Sequence, residues 1–529
     1  MSRQKLWLFG LFNLLLLALL SAWFWSHNRP VDILAPQLSW NQKLQCASYA
    51  PYYTPGSSPF VPGTHISQAQ IRHDLALLAE RFDCVRTYSV GQGLDYVPEA
   101  AAELDLEVLL GVWIGWTDAD NDKELTRAIE LARERPEVIR ALVVGNEVLL
   151  RQEQPPEKLR AYIKRARDYS GVPVTYADVW EFWLKNSLLE NEVDFVTAHI
   201  LPYWEDEPQS IDDAVAHARS VMHRLGETFE KPILIGETGW PSAGRHRNAS
   251  APGLVNQARY IREFLQAASD NGWNYNLIEA FDQPWKRVLE GTVGGNWGLY
   301  DSDLQAKFAF SGPVAERQDG WLPLFAALGG MLLFCLLAAG AAKGPTGASS
   351  PAAKPLAMTT LPFAPLGAAA GLVVCLQAGY LSAACRDLQE WLALGGLAAA
   401  GWLGLLALPA YMLKSSHAAR RCIQISLWLL AIAALIASLL LLIDGRYRDF
   451  PVSLFILPAV VFGLVPGAAG VSGLSRYHAN VMLAAFMVTL GIIWFEPHNH
   501  HAWAWLTLTL LLAFAGRQNS NHSRHGEAA

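Results

Sequence analysis

The sequence predicts an α/β chain: a (β/α)8 barrel set between one N-terminal transmembrane anchor and a C-terminal domain of about seven membrane helices. Three observations predict it. Eight short β-rich runs alternate with amphipathic stretches across residues 44–281, an uncharged apolar segment fills residues 6–25, and seven more apolar stretches follow from Trp321 onward. The 529 residues have a mean hydropathy of +0.17. That is too apolar for one soluble domain, whereas the first 320 residues are too charged for a pure membrane protein.

The N-terminal segment comes first. Residues 6–25 follow Arg3 and Lys5 and carry no charge, and they reach the roughly 20 residues needed to cross a bilayer. They read as a signal anchor. A cleaved signal peptide is the alternative, but the run exceeds the usual ~7 to 15 apolar residues and Ser21-Ala22-Trp23 is a poor cleavage site. The domains expected are therefore an anchor over 1–26, a barrel over 27–320 and a membrane domain over 321–529.

Within the middle segment the strand candidates are 44–50, 83–89, 106–113, 139–145, 172–177, 193–199, 232–236 and 275–281. Between the first two lies 66–82, opened by a Ser67-x-x-Gln70 capping box with Ile71, Leu75 and Leu78 on one face. Strict β/α alternation with eight strands over about 290 residues favours a barrel over an open doubly wound sheet. No G-x-G-x-x-G follows the first strand, which leaves a nucleotide-binding Rossmann fold without support.

The seven later apolar stretches fall near 321–342, 361–384, 391–413, 422–443, 451–474, 479–495 and 502–516. With the N-terminus cytoplasmic, ten Lys and Arg lie at cytoplasmic ends and loops and only Arg386, Arg446 and Arg448 outside. This bias sets the orientation and predicts a multi-pass protein of a bacterial inner membrane with residues 27–320 in the periplasm. The net charge of −7 divides into +2 on residues 1–26, +5 on 321–529 and −14 on the middle segment. An acidic domain repels polyanions, so nucleic acid is excluded as a partner and a neutral polymer is easier to accept. Of six cysteines, only Cys46 and Cys84 belong to this segment; a disulfide and a pair of buried thiols remain equally open.

Two glutamates stand where β-rich runs give way to loops: Glu147 in V-V-G-N-E-V and Glu237 in I-L-I-G-E-T-G-W-P. In the barrel they fall just past strands 4 and 7, at the C-terminal face where such folds build their sites. Two carboxyls sharing one substrate can break a glycosidic bond, one protonating the leaving oxygen and the other attacking the anomeric carbon.

At these residues the chain resembles glycoside hydrolase family 17, the β-1,3-glucanases and β-1,3-glucanosyltransferases. The resemblance covers roughly 44–310, is closest to bacterial membrane-anchored members described as β-(1→6)-glucan synthases, and rests on Gly145-Asn146-Glu147-Val148 and Gly236-Glu237-Thr238-Gly239-Trp240-Pro241-Ser242. It implies that Glu147 is the acid/base and Glu237 the nucleophile, that Asn146 meets the sugar 2-hydroxyl, that Tyr203 lines the cleft and that Arg86 in V-R-T-Y keeps the nucleophile ionised. One departure stands out: after strand 8 the chain reads Phe281-Asp282-Gln283-Pro284-Trp285-Lys286, with Gln283 where plant relatives carry an acid.

Aromatic rings supply flat, partly polar platforms for sugars. Trp204, Trp240 and Trp285 are expected in the cleft with Gln283 and Lys286, and Trp116 beside them. His199, ending strand 6, is either a substrate contact or a hydrogen-bonded interior residue. No metal or cofactor is expected. Asp118-Ala119-Asp120 resembles the D-x-D of nucleotide-sugar transferases, but no Q-x-x-R-W accompanies it. The expected activity is retaining transfer on β-1,3-glucan, elongating or β-1,6-branching. The alternatives are an endo- or exo-β-1,3-glucanase and, in another class, a non-catalytic glucan-binding or export-assisting membrane protein. Expected partners are a β-glucan, membrane lipid and a glucan synthase or exporter.

Overall fold

The computed structural model describes residues 3–37, 43–342, 356–465 and 476–517. The end of the predicted 451–474 span lies outside these residues. The chain divides into two compact units: Val31–Ala243 with Ser250–Val314, and Met1–Pro30 with Gly244–Ala249 and Ala315–Ala529.

The first unit is a closed parallel barrel. Its strands are β1 (Leu44–Ser48), β2 (Phe82–Arg86), β3 (Glu107–Val112), β4 (Ile139–Asn146), β5 (Val174–Val179), β6 (Val196–His199), β7 (Ile233–Thr238) and β8 (Asn274–Leu277). Each pairs with its sequence neighbours, and β8 closes on β1 through Cys46↔Asn276 and Ala47↔Leu277. All eight strands lie where the alternation of short apolar runs predicts them.

Local chemistry accounts for the helices between the strands. Helix Gln68–Ala79 starts at Ser67, whose side chain accepts from the Gln70 amide at 3.2 Å, and it buries Ile71, Leu75 and Leu78. Only half of the predicted capping box forms, because Gln70 turns its amide away to the Pro51 carbonyl at 3.0 Å. Helix Pro156–Ser170 ends at Gly171, whose φ of 78° is the left-handed conformation that closes a helix without a Cβ penalty.

Two apolar layers hold the barrel. The outer one packs strands against helices; each fully buried Val, Leu or Ile there contributes about 1.5–3 kcal/mol. The inner one gathers Cys46, Cys84, Leu109, Ala141, Val143, Ala177 and Leu234, side chains from six strands that can meet only inside a closed barrel. Cys46 and Cys84 are register partners on β1 and β2 and form a disulfide, which resolves the open pairing.

β8 is shorter than the predicted 275–281. After Leu277 the chain leaves the ladder, and Ala280 donates to the Ser48 carbonyl while accepting from the Tyr300 amide, each at 2.9 Å. This diversion brings Glu279 and Asp282 over the end of the barrel.

The second unit is helical. Six helices are long and apolar enough to cross a membrane: Gln4–Asn28, Leu322–Ala342, Ala357–Ala384, Leu388–Lys414, His417–Ile443 and Tyr477–Phe495. Val452–Leu464 and His500–Ala515 are apolar but shorter, so two of the eight predicted spans fall below that length among the described residues. Two hydrogen bonds join side chains of different helices: Gln377 Oε1 accepts from Trp402 Nε1 at 2.8 Å, and Ser438 Oγ from Trp505 Nε1 at 3.0 Å. Residues 244–249 pack with this unit. Arg245 Nη2 donates to both oxygens of Glu496 at 2.9 Å, and the His246 ring stacks on His501 at 3.7 Å.

Candidate active site

Glu147 follows the last residue of β4, and its position depends on the preceding glycine. Gly145 has φ 86°, and a Cβ there would sit 2.7 Å from Val148 Cγ2. Glu147 itself adopts φ 52°, uncommon for a side-chain-bearing residue and the sort of local strain that collects at functional sites. The turn is tied down where the Glu147 amide donates to the Ala177 carbonyl at 2.8 Å.

Glu237 lies within β7 and is almost wholly buried. Its Oε1 accepts from Arg86 Nη1 at 3.0 Å and from the Tyr88 hydroxyl at 2.8 Å, while Oε2 lies 3.1 Å from His199 Nδ1. Arg86, at the end of β2, also donates to the Gly236 carbonyl at 2.9 Å and to Asn146 Oδ1. The predicted Arg86, Asn146, Glu147 and Glu237 therefore meet at one end of the barrel. One carboxylate oxygen of Glu147, one of Glu237 and a ring nitrogen of His199 lie within 4.8 Å of one another.

The two carboxyls have opposite electrostatics. Burial alone would raise the Glu237 pKa, but His199, Arg86 and the Tyr88 hydrogen bond outweigh it and hold the group at about 2. Burial, with Glu237 and Asp178 adding like charge, lifts Glu147 to about 7 against the pull of His199 and Arg151. Near neutral pH the site thus holds one ionised carboxylate and one carboxyl able to carry a proton, the pairing that acid-plus-nucleophile chemistry requires.

A second buried pair lies beyond β8. Lys286 Nζ is 3.0 Å from both oxygens of Glu279, which is completely enclosed and raised to about 7 by burial in spite of that lysine. Lys286 is engaged in this pair. Gln283 is enclosed as well: its amide donates to the Ala50 and Phe281 carbonyls, and its Oε1 accepts from Trp285 Nε1 at 2.8 Å. Gln283 therefore holds the Trp285 ring in place and is itself closed to a ligand, which corrects the expectation of a direct contact. Trp285 is partly exposed and packs beside Phe60 at 5.5 Å.

Two aromatic expectations are corrected in the same way. Tyr203 and Trp240 are fully buried, packed edge to face at 5.7 Å, with Trp240 Nε1 donating to the Ala251 carbonyl at 3.0 Å. Neither ring has a face free for a sugar; Tyr203 stacks on Trp204 at 6.0 Å, and Trp204 keeps part of its surface exposed. Trp116 is 70% exposed. Asp118 pairs with Lys158 at 2.7 Å on the outer helices.

Sequence reasoning missed Tyr88, Asp178, Glu279 and Arg151. Tyr88 had a readable signal, since it stands two residues beyond Arg86 and the strand period of two puts both on one face. Asp178 is buried on β5, where it accepts from the Val179 amide at 2.8 Å and from the Tyr176 hydroxyl.

A barrel with two convergent carboxyls, one ionised and one able to hold a proton, has the equipment for cleaving a glycosidic bond. Comparison with known proteins indicates an enzyme of the glycoside hydrolase type. Residues 46–298 match the BtgE/BtgC glycoside hydrolase domain. The chain is similar to a glucan 1,3-β-glucosidase of Arthroderma benhamiae, 25% identical over 274 residues that cover 48% of this chain and 87% of the relative. It is also similar to the probable β-glucosidase btgE of Aspergillus flavus, 28% identical over 262 residues that cover 48% of this chain and 42% of the relative. The chain thus spans less than half of that second protein. Among solved structures, the glycoside hydrolase family 17 β-1,3-glucanosyltransferase from Rhizomucor miehei is 25% identical, covering 50% of this chain and 97% of that one with a TM-score of 0.45. An active-site mutant of the R. miehei β-1,3-glucanosyltransferase in complex with laminaritriose is 24% identical, covering 51% and 98%, with a TM-score of 0.46.

Proposed function

We propose that this protein is a membrane-anchored, retaining β-1,3-glucan glucanosyltransferase that elongates or β-1,6-branches periplasmic glucan. The observation that carries retention is the approach of a Glu147 oxygen to within 4.8 Å of a Glu237 oxygen. Inverting enzymes hold their carboxyls about 6.5–9.5 Å apart to fit a water, whereas retaining enzymes bring them to about 5–5.5 Å.

In the first half-reaction Glu237 attacks the anomeric carbon as the glycosidic bond breaks, and the Glu147 proton passes to the leaving oxygen. In the second, an acceptor hydroxyl attacks that carbon, the glucosyl–Glu237 ester breaks and the acceptor proton returns to Glu147. Water as acceptor gives hydrolysis; a sugar gives transfer. A well-oriented bound sugar can out-compete water, because effective molarities for such reactants reach about 10⁵ M or more.

The β-1,3-glucan preference is supported by the relatives' names and by partly exposed aromatic rings at 204 and 285. The membrane and periplasmic reading is supported by six helices of spanning length and the bias of Lys and Arg along the chain. On this reading residues 1–26 anchor, 27–320 catalyse and 321–529 span the membrane, where a glucan synthase or exporter is the partner suited to them. Incubating the full chain in detergent with laminari-oligosaccharides and sizing the products tests the activity. Longer or branched chains establish transfer; shorter chains alone establish a β-1,3-glucanase.

A further inference from the structure

Arg86 serves Glu237, and the geometry assigns a matching role to Arg151: we infer that Arg151 is the positioning cation of the acid/base, setting the proton affinity of Glu147. The inference rests on the reading of Glu147 as acid/base. Arg151 lies four residues past Glu147 in the turn after β4, where its amide donates to the Glu147 carbonyl at 2.9 Å. Its Nη1 lies 3.6 Å from Glu147 Oε2, its Nη2 donates to Glu153 Oε2 at 2.9 Å and to the Asn146 carbonyl, and its guanidinium covers the Trp113 ring at 4.6 Å.

The two guanidiniums are arranged in parallel. Arg86 also covers an aromatic ring, Tyr88 at 4.6 Å, and also binds Asn146, through the side-chain oxygen where Arg151 takes the main-chain one. Asn146 thus bridges one arginine per carboxylate. The distances differ in a direction that suits the two tasks. A contact of 3.0 Å favours the ionised form of free Glu237, whereas 3.6 Å gives a partly exposed Glu147 a weaker bias that still lets it hold a proton.

The groups facing Glu147 are His199 from β6, Glu237 from β7, Asp178 from β5 and Arg151 from its own turn. Once glucosyl–Glu237 forms, the Glu237 charge is gone and Arg151 faces the Glu147 carboxylate that must accept the next proton. Trp113 and Glu153 fix the guanidinium so that it does not swing away as that charge appears and disappears.

The test is the titration of Glu147 in the full chain, read by infrared difference spectroscopy of its carboxyl band with Glu147→Gln as blank, beside the pH profile of kcat/KM. Arg151→Met should raise the Glu147 pKa by roughly one unit, as removal of a nearby opposite charge does, and move the alkaline limb up equally. Arg151→Lys should leave both near wild type. An Arg151→Met titration that coincides with wild type overturns the inference. If Arg151→Met does not fold, Arg151→Gln carries the same test. Because the infrared titration needs no turnover, a wild-type protein inactive on laminari-oligosaccharides would defeat the functional reading and leave this result legible.

Discussion

Tyr88 donates to Glu237 Oε1 at 2.8 Å, the same oxygen that accepts from Arg86 at 3.0 Å. Two donors on one oxygen stabilise the ionised form before substrate arrives, and they must loosen as that charge passes into the glycosyl bond. A hydrogen bond to a charged group contributes about 1.5–3 kcal/mol, so Tyr88→Phe should lower kcat/KM about 10- to 100-fold. The variant also weakens support for the carboxylate, and the acidic limb of its pH profile should move up. A profile superimposable on wild type would remove Tyr88 from the site.

The wild-type profile follows from the two carboxyls. Glu237 must be ionised and stays so above about 2, while Glu147 must be protonated and loses its proton as pH rises through about 7. Activity on unactivated glucan should therefore hold through mildly acidic pH and fall on the alkaline side near 7. Initial rates at subsaturating substrate across pH 4 to 9, with buffers overlapped, check the sign. A rate that rises through neutrality would show that Glu147 works as base in the limiting step.

Replacing the two carboxyls separates their roles. Glu237→Gln keeps the shape and loses the attacking charge, so turnover should drop by about a thousandfold or more while oligosaccharide binding stays measurable by calorimetry. Glu147→Ala should still form the glucosyl-enzyme from an activated aryl β-glucoside but turn it over slowly, and azide should partly restore turnover and yield the β-glucosyl azide. An α-azide from this variant would exclude double displacement.

The tryptophans divide by burial. Trp204 and Trp285 keep part of their faces exposed, and alanine at one of them should lower the transfer-to-hydrolysis ratio more than donor consumption. Trp240 is enclosed, so Trp240→Ala should act through stability, costing about 3–5 kcal/mol. Product sizing together with thermal melts distinguishes these effects; parallel loss of transfer and hydrolysis in both Trp204→Ala and Trp285→Ala would place acceptor selection elsewhere.

Reduction of the Cys46–Cys84 bond, which closes a loop 38 residues apart in sequence, should lower stability by about 3–4 kcal/mol through the freedom it returns to the unfolded chain. Unchanged denaturant midpoints for Cys84→Ala would contradict that expectation.

Much of this site is legible before folding. Apolar runs of strand length separated by amphipathic stretches determine eight parallel strands, because each strand must be covered on one side by a helix and on the other by its neighbours. Strand ends then identify Glu147 and Glu237 as residues delivered to one face, since parallel strands all end on the same side, and the resemblance to glycoside hydrolase family 17 adds Arg86 and Asn146. What folding alone decided is which side chains the connections enclose. Tyr203, Trp240 and Gln283 lie past strand ends, as cleft residues do, yet Tyr203 packs on Trp297, Trp240 donates to the Ala251 carbonyl and Gln283 to the Ala50 carbonyl, so all three are enclosed while Trp204 and Trp285 stay partly exposed. The pairings of Tyr88, His199 and Arg151 with the two glutamates likewise depend on turns and distances between strands remote in sequence. Periodicity states the direction in which a side chain leaves its own strand; it contains no term for the distance to a charge on another.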